Sequence, residues 1–129
     1  MTTLSQGPPA APGPLDDLLT VDTVISDDVV RLVLSGEVDC ATAPMLRRAL
    51  DTAFASGPRL VTVDLVAVTF LDSAGLSALA VAHRTAVGQD TRLRVLVATR
   101  AVSRALQVTG LWDLLGVEQV GSGAGAGAA

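Results

Sequence analysis

The sequence predicts an α/β fold, a single domain in which a mixed, mostly parallel β-sheet packs against α-helices in the order β-β-α-β-α-β-α-β. Three observations predict it. Short β-branched runs alternate with stretches whose apolar residues recur at helical spacing, the pattern of strands joined by right-handed helical crossovers. The first two runs are separated only by Asp27-Asp28, which predicts a hairpin and so one antiparallel pair. Foldable sequence is confined to residues 15–120, about 105 residues and a common size for one domain. Outside those bounds the composition changes. Residues 1–14 (MTTLSQGPPAAPGP) hold four of the six prolines and no charge, and residues 121–129 (GSGAGAGAA) are Gly and Ala with one Ser. Such segments bury too little apolar surface to offset ordering entropy, so both are predicted to be disordered tails.

Each element has its own signal. Leu18–Ser26 reads as the first strand. In Val29–Ser35 (VVRLVLS), Val30, Leu32 and Leu34 share one face and Val29, Arg31 and Val33 the other, the period of two of a strand. Gly36-Glu37-Val38-Asp39 is predicted to break it. Thr42 resembles a helix N-cap, with Pro44 in the first turn, where a missing N–H costs little. Leu46, Ala49, Leu50 and Ala53 follow at helical spacing until Ser56-Gly57-Pro58 stops the helix. Leu60–Leu65 (LVTVDL) is nearly all apolar, which predicts a central strand covered on both faces. After Val66–Phe70 and Leu71-Asp72-Ser73-Ala74-Gly75, helical spacing returns at Leu76, Leu79, Ala80, His83 and Val87, ending at Gly88. Arg92–Ala98 reads as a strand. Arg100–Val108 reads as a third helix, capped by Thr99, with Val102, Ala105 and Leu106 inward and Gly110 ending it. Leu111–Leu115 adds a turn and Gly116–Val120 a last short strand.

Composition excludes several functions. Half of the chain is hydrophobic, enough for a core, and the net charge is −4. All nine basic residues are Arg, in no run longer than Arg47-Arg48, and one Trp with two Phe leaves few rings to stack on bases. Nucleic acid is therefore not an expected partner. A single Cys, Cys40, and a single His, His83, exclude a disulfide framework and Cys- or His-based metal clusters. The first positive side chain is Arg31, so no basic region of a secretory signal opens the chain. The most apolar stretch, 60–82, contains Asp64 and Asp72, and charges at mid-membrane cost several kcal/mol. A cytoplasmic protein with no membrane partner is expected. There is no GxxxxGK[ST], GxGxxG or GxSxG motif. The only His, His83, lies ten residues past Ser73 along the same predicted helix, about 15 Å away. That is too far for proton transfer, so the chain is not expected to be an enzyme or to need a cofactor.

Ser73 stands where a loop becomes a helix. It or Asp72 is predicted to be the N-cap. A hydroxyl at a helix N-terminus is also a good place for a phosphate, because the dipole and free amides tolerate the charge without melting the fold. Two readings stand for Asp39, contact with a partner or capping of a turn, and two for Asp72, capping or kinase recognition. Asp64 is predicted to bind loop amides, and Cys40 to fill a loop. His83 is predicted at the edge of the core, and Arg100 and Arg104 on a solvated helix face.

Val68-Thr69-Phe70-Leu71-Asp72-Ser73-Ala74-Gly75-Leu76 resembles the phosphorylation-loop motif of STAS domains, as found in bacterial anti-sigma-factor antagonists. Gly36-Glu37-Val38-Asp39 with Ala41-Thr42-Ala43 is similar to the family's GE(L/V)D…TA loop, and Val102–Leu111 (VSRALQVTGL) to its third-helix signature. The three come in the family's order across roughly 18–120. The resemblance implies a single STAS domain over 15–120. It implies that the unphosphorylated chain binds an anti-sigma factor that is also a serine kinase, releasing the sigma factor. Phosphorylation of Ser73 then separates the pair, and a metal-dependent serine phosphatase restores it. ATP and magnesium would belong to the kinase. Ala74 stands where the family often has a second hydroxyl, which leaves Ser73 the less ambiguous acceptor. Glu37, Asp39, Thr42, Asp72, Ser73, Ala74, Gly75 and Leu76 are the expected partner contacts. Two alternatives compete: a non-switching STAS scaffold or subunit of a stress-sensing or lipid-transport assembly, and a small nucleotide hydrolase.

Overall fold

The computed structural model describes residues 18–120. The predicted tails, and residues 15–17 of the predicted domain, lie outside the described residues. The elements are β1 (Leu19–Ser26), β2 (Val29–Val38), α1 (Ala43–Ala55), β3 (Leu60–Leu71), α2 (Ser73–Gln89), β4 (Arg92–Val97), α3 (Arg100–Val108), α4 (Leu111–Leu115) and β5 (Glu118–Gln119). They form one five-stranded sheet in the order β1-β2-β3-β4-β5. The β1–β2 pair is antiparallel and every other pair parallel. No described helix is long and apolar enough to cross a membrane.

The hairpin turns on Asp27 and Asp28, with Ser26 opposite Val29. Asp27 takes φ 54°, a conformation Asp tolerates better than most residues. The alternation in β2 holds: Val30, Leu32 and Leu34 are buried. They meet Val61, Val63 and Leu65 of β3, and these meet Leu93, Val95 and Val97 of β4, in one continuous apolar face. All four helices bury their apolar stripes against that face, since Leu46, Leu79, Val102, Leu106 and Leu115 belong to the same core cluster.

Several expectations are corrected. β3 is central but covered by helices on one face only, among the described residues. Its other face carries Thr62, flanked in register by Arg31 and Arg94, and Asp64. Thr62 and Asp64 are nonetheless buried, and Asp64 is paired with Arg31. Asp64 also accepts the Val66 amide at 3.0 Å, as expected of it. β2 does not break at Gly36 but runs to Val38, and β3 runs to Leu71, because register shifts let the ladder continue past Val33 and Gly36. Gly36 sits at φ +118°, and a Cβ there would collide with the Leu18 carbonyl. The buried stripe of α2 is Gly75, Ala78, Leu79, Ala82 and Ala86, about one residue, or 100°, away from the predicted one. Ala occupies almost every face of this helix, and its small side chains win the close contact with the sheet. Val87 is 69% exposed. Gly88 lies inside the helix, which ends at Asp90 in the left-handed conformation. In α3 the buried residues are Val102, Ser103 and Leu106, with Ala105 half-buried. The last strand shrinks to Glu118–Gln119 and Leu111–Leu115 becomes a helix.

Leu32 is fully buried at the middle of the apolar face. Leu32→Ala is expected to cost about 2–5 kcal/mol, measured as a lower urea midpoint with an unchanged m-value.

Candidate functional site

Two of the three sequence motifs, Gly36–Ala43 and Val68–Leu76, converge at the carboxyl ends of β2 and β3. Val38 pairs with Leu71 as the last rung of that ladder, and the next amide, Asp72, donates to the Val38 carbonyl at 3.0 Å. The chain then enters α2 directly. Asp72 is the N-cap, and its Oδ1 accepts the Ala74 amide at 2.9 Å and the Gly75 amide at 3.4 Å. The Leu76 amide closes the first turn on the Asp72 carbonyl at 2.9 Å. Of the two candidate caps, then, Asp72 does the work. Ser73 is the first helical residue, with its side chain exposed.

Gly75 holds the helix close to the sheet. A Cβ on it would lie 2.8 Å from Val38 Cγ1 and collide with Leu71 Cδ1. The helix start therefore rests directly on the last β2–β3 rung, and Ser73 is held at a fixed height above it.

A second loop supports the same edge. Asp39 Oδ1 accepts the Ala41 amide at 2.9 Å and the Thr42 amide at 3.0 Å. These bonds, led by that from Thr42, hold the Asp39 carboxyl below the usual aspartate range. Thr42 is the N-cap of α1 by position, but its side chain makes no cap bond. Its hydroxyl accepts the Asp39 amide at 2.9 Å and donates to the Glu37 carbonyl at 2.9 Å. Of the two readings of Asp39, the geometry displays the turn cap.

Two expected contacts are corrected. Thr42 has no exposed surface and Gly75 is buried, so neither presents a surface to a partner; Thr42 shapes the loop around Asp39, and Gly75 sets the height of α2. Glu37 and Ser73 are exposed, and Asp39, Asp72, Ala74 and Leu76 are partly so. Leu76 also packs against the core. Phe70, which was not among the expected contacts, is a further exposed residue on this edge. It pairs with Glu37 in register and is 46% exposed. The signal was available, since Phe70 is one of only two Phe in the chain and follows the buried run of β3. Cys40 is exposed in the supporting loop.

Among the described residues no group of three His, Cys, Asp or Glu could hold a metal. The main depressions lie elsewhere: 220 Å³ between α1 and α2, 560 Å³ around Arg100 and Arg104, and 300 Å³ beside β1. Ser73 lines none of these three and is exposed.

The STAS domain family profile matches residues 20–121. The chain is 34% identical over 95 residues to the anti-sigma-F factor antagonist RsfB of Mycobacterium tuberculosis, covering 74% of this chain and 77% of that protein. It is 30% identical over 101 residues to an anti-sigma-B factor antagonist of Staphylococcus epidermidis, covering 78% of this chain and 94% of that one. A crystal structure of an anti-sigma factor antagonist from Mycobacterium paratuberculosis superposes with a TM-score of 0.75 at 32% identity, over 84% of this chain and 90% of that one.

Replacing Asp72 by Ala is expected to lower stability by about 1 kcal/mol, the loss of one cap. Gly75→Ala is expected to cost about 1–3 kcal/mol by overpacking; thermal unfolding of both variants checks these values. The bonds to ionised Asp39 stabilise the loop fully above the ordinary aspartate range and are lost as pH falls through the lowered value. The protection of the Ala41 and Thr42 amides, taken as intrinsic over observed hydrogen-exchange rate at each pH, should therefore fall in acid, with Asp39→Asn removing that limb of the pH profile.

Proposed function

Because the chain belongs to the STAS domain family, we propose that it is an anti-sigma-factor antagonist, a binding protein rather than an enzyme, switched by phosphorylation of Ser73. The observation that carries this reading is the exposed hydroxyl at the first position of a 17-residue helix whose cap is already filled. Asp72 takes the amides of Ala74 and Gly75. A phosphate on Ser73 would find those donors occupied by another anion, so its charge of about −2 would project outward. Asp72 and Glu37 lie on the same edge and add to it. A partner resting on this edge meets a small neutral hydroxyl in one state and a dense negative patch in the other.

The partners that fit are those the resemblance implies. An anti-sigma factor with serine-kinase activity docks on the Ser73 end of α2 and the Glu37–Thr42 loop, releases its sigma factor, and adds the phosphate. A metal-dependent serine phosphatase reverses it. That role places the protein in the cytoplasm. The fold need not move for the switch to act. Desolvating an unpaired phosphate costs several kcal/mol, and each 1.4 kcal/mol is tenfold in affinity.

Incubation with the cognate anti-sigma factor and ATP is expected to add one phosphate by intact mass, absent in Ser73→Ala. Calorimetric titration is expected to show tight binding by wild type and Ser73→Ala, and at least hundredfold weaker binding by the phosphorylated chain. Ser73→Asp, with half the charge, should weaken binding at least tenfold. Equal affinity of modified and unmodified chains would refute the switch and leave a static scaffold.

A further inference from the structure

The sheet has two edges, and they are not treated alike. β5 is two residues long, too short to template another strand. β1 is eight residues long and regular, pairing with β2 from Leu19 to Ser26 without a register shift. Its outer side pairs with no strand among the described residues. None of the usual protections is present in it: LTVDTVIS contains no Pro, Lys, Gly or bulge, and one charge, Asp22. Beyond Val21 it is exposed on both faces, with Val24 52% and Ile25 68% exposed. Beside it lies a depression of 300 Å³ lined by Thr23, Ile25, Val30, Ala49 and Ala53 among others. High β-propensity, low charge and an open ladder are the conditions under which a strand recruits another.

We propose that the occupant is β1 of a second copy, paired antiparallel about a twofold axis at Thr23, which joins two sheets into one of ten strands. The register follows from the residues. An antiparallel pair must place same-face residues opposite each other. Centring on Asp22 would set two carboxylates face to face, which is unfavourable. Centring on Thr23 preserves a seven-residue overlap and sets Val21 against Ile25 of the second copy, and Ile25 against its Val21. Thr23 then meets Thr23. On the other face Asp22 meets Val24 and Thr20 meets Ser26. No like charges sit directly opposite, and the most exposed apolar side chain of β1, Ile25, gains an apolar neighbour beside the depression. This inference is independent of the proposed switch, since β1 lies at the opposite edge of the β2–β3 pair from α2's capped end and contains none of its residues.

Sedimentation equilibrium of the full chain from 1 µM to 1 mM is expected to show a concentration-dependent dimer. A Val24→Lys, Ile25→Lys double variant, both sites being exposed, is expected to stay monomeric with unchanged circular dichroism. Register is read by cysteine pairing in a Cys40→Ser background. Opposed residues have Cα atoms close enough for a disulfide, so Thr23→Cys should cross-link to itself under mild oxidation. Val21→Cys should cross-link only when mixed with Ile25→Cys. A wild-type chain that remains monomeric at 1 mM overturns the proposal, including the case in which slow exchange at β1 amides shows that residues 1–17 of the same chain cover the edge. A dimer that survives the double lysine variant, or that cross-links equally from Val21→Cys alone, overturns it as well.

Discussion

The contact on which this molecule turns is the one between a glycine and the end of a two-strand ladder. Val38 and Leu71 close the β2–β3 pairing, and α2 rests on them where Gly75 presents no side chain. Any larger residue would lift the helix start off the sheet. Because the helix cannot rise, Asp72 is held within reach of both the Val38 carbonyl and the amides of Ala74 and Gly75. Cap, ladder and core are thus a single joint, and Ser73 is the residue it leaves facing water. A modification placed there alters charge without disturbing a buried contact.

The same joint explains why the acidic residues around it divide their roles. Asp72 and Asp39 each spend a carboxylate on two backbone amides. They hold two neighbouring loops in shape, and their charges remain at the surface while they do so. Glu37 is exposed and opposite the half-exposed ring of Phe70. A half-exposed ring and exposed carboxylates on the edge that presents Ser73 fit the proposed docking role, in which an apolar anchor supplies energy and charge supplies discrimination.

Some of this was readable in the order of residues. The alternation of Val30, Leu32 and Leu34 foretold the buried face of β2, and the β-branched run at Leu60–Leu65 foretold the central strand. Asp27-Asp28 marked the hairpin. Local pattern failed where two registers or two faces were nearly equivalent. α2 carries Ala on almost every side, so its apolar period pointed about 100° away from the true stripe; the sheet chose the face with the smallest side chains. Gly36 looked like a strand end because glycine so often is one, whereas here a bulge carries pairing two residues further. Thr42 looked like a cap and a contact, yet its hydroxyl turned inward to the Asp39 amide and the Glu37 carbonyl.

Sequence by itself determined the element order, the buried face of β2, the family and the serine at a helix entrance, because these depend on residues near one another in the chain. Only the tertiary structure decided which hydroxyl and which carboxylates face solvent, since that depends on Val38 and Leu71, 33 residues apart, arriving side by side. It also decided that, among the described residues, the helices cover one face of the sheet and no strand pairs with the outer side of β1. Burial and pairing are properties of neighbours in space, and the chain alone does not list them.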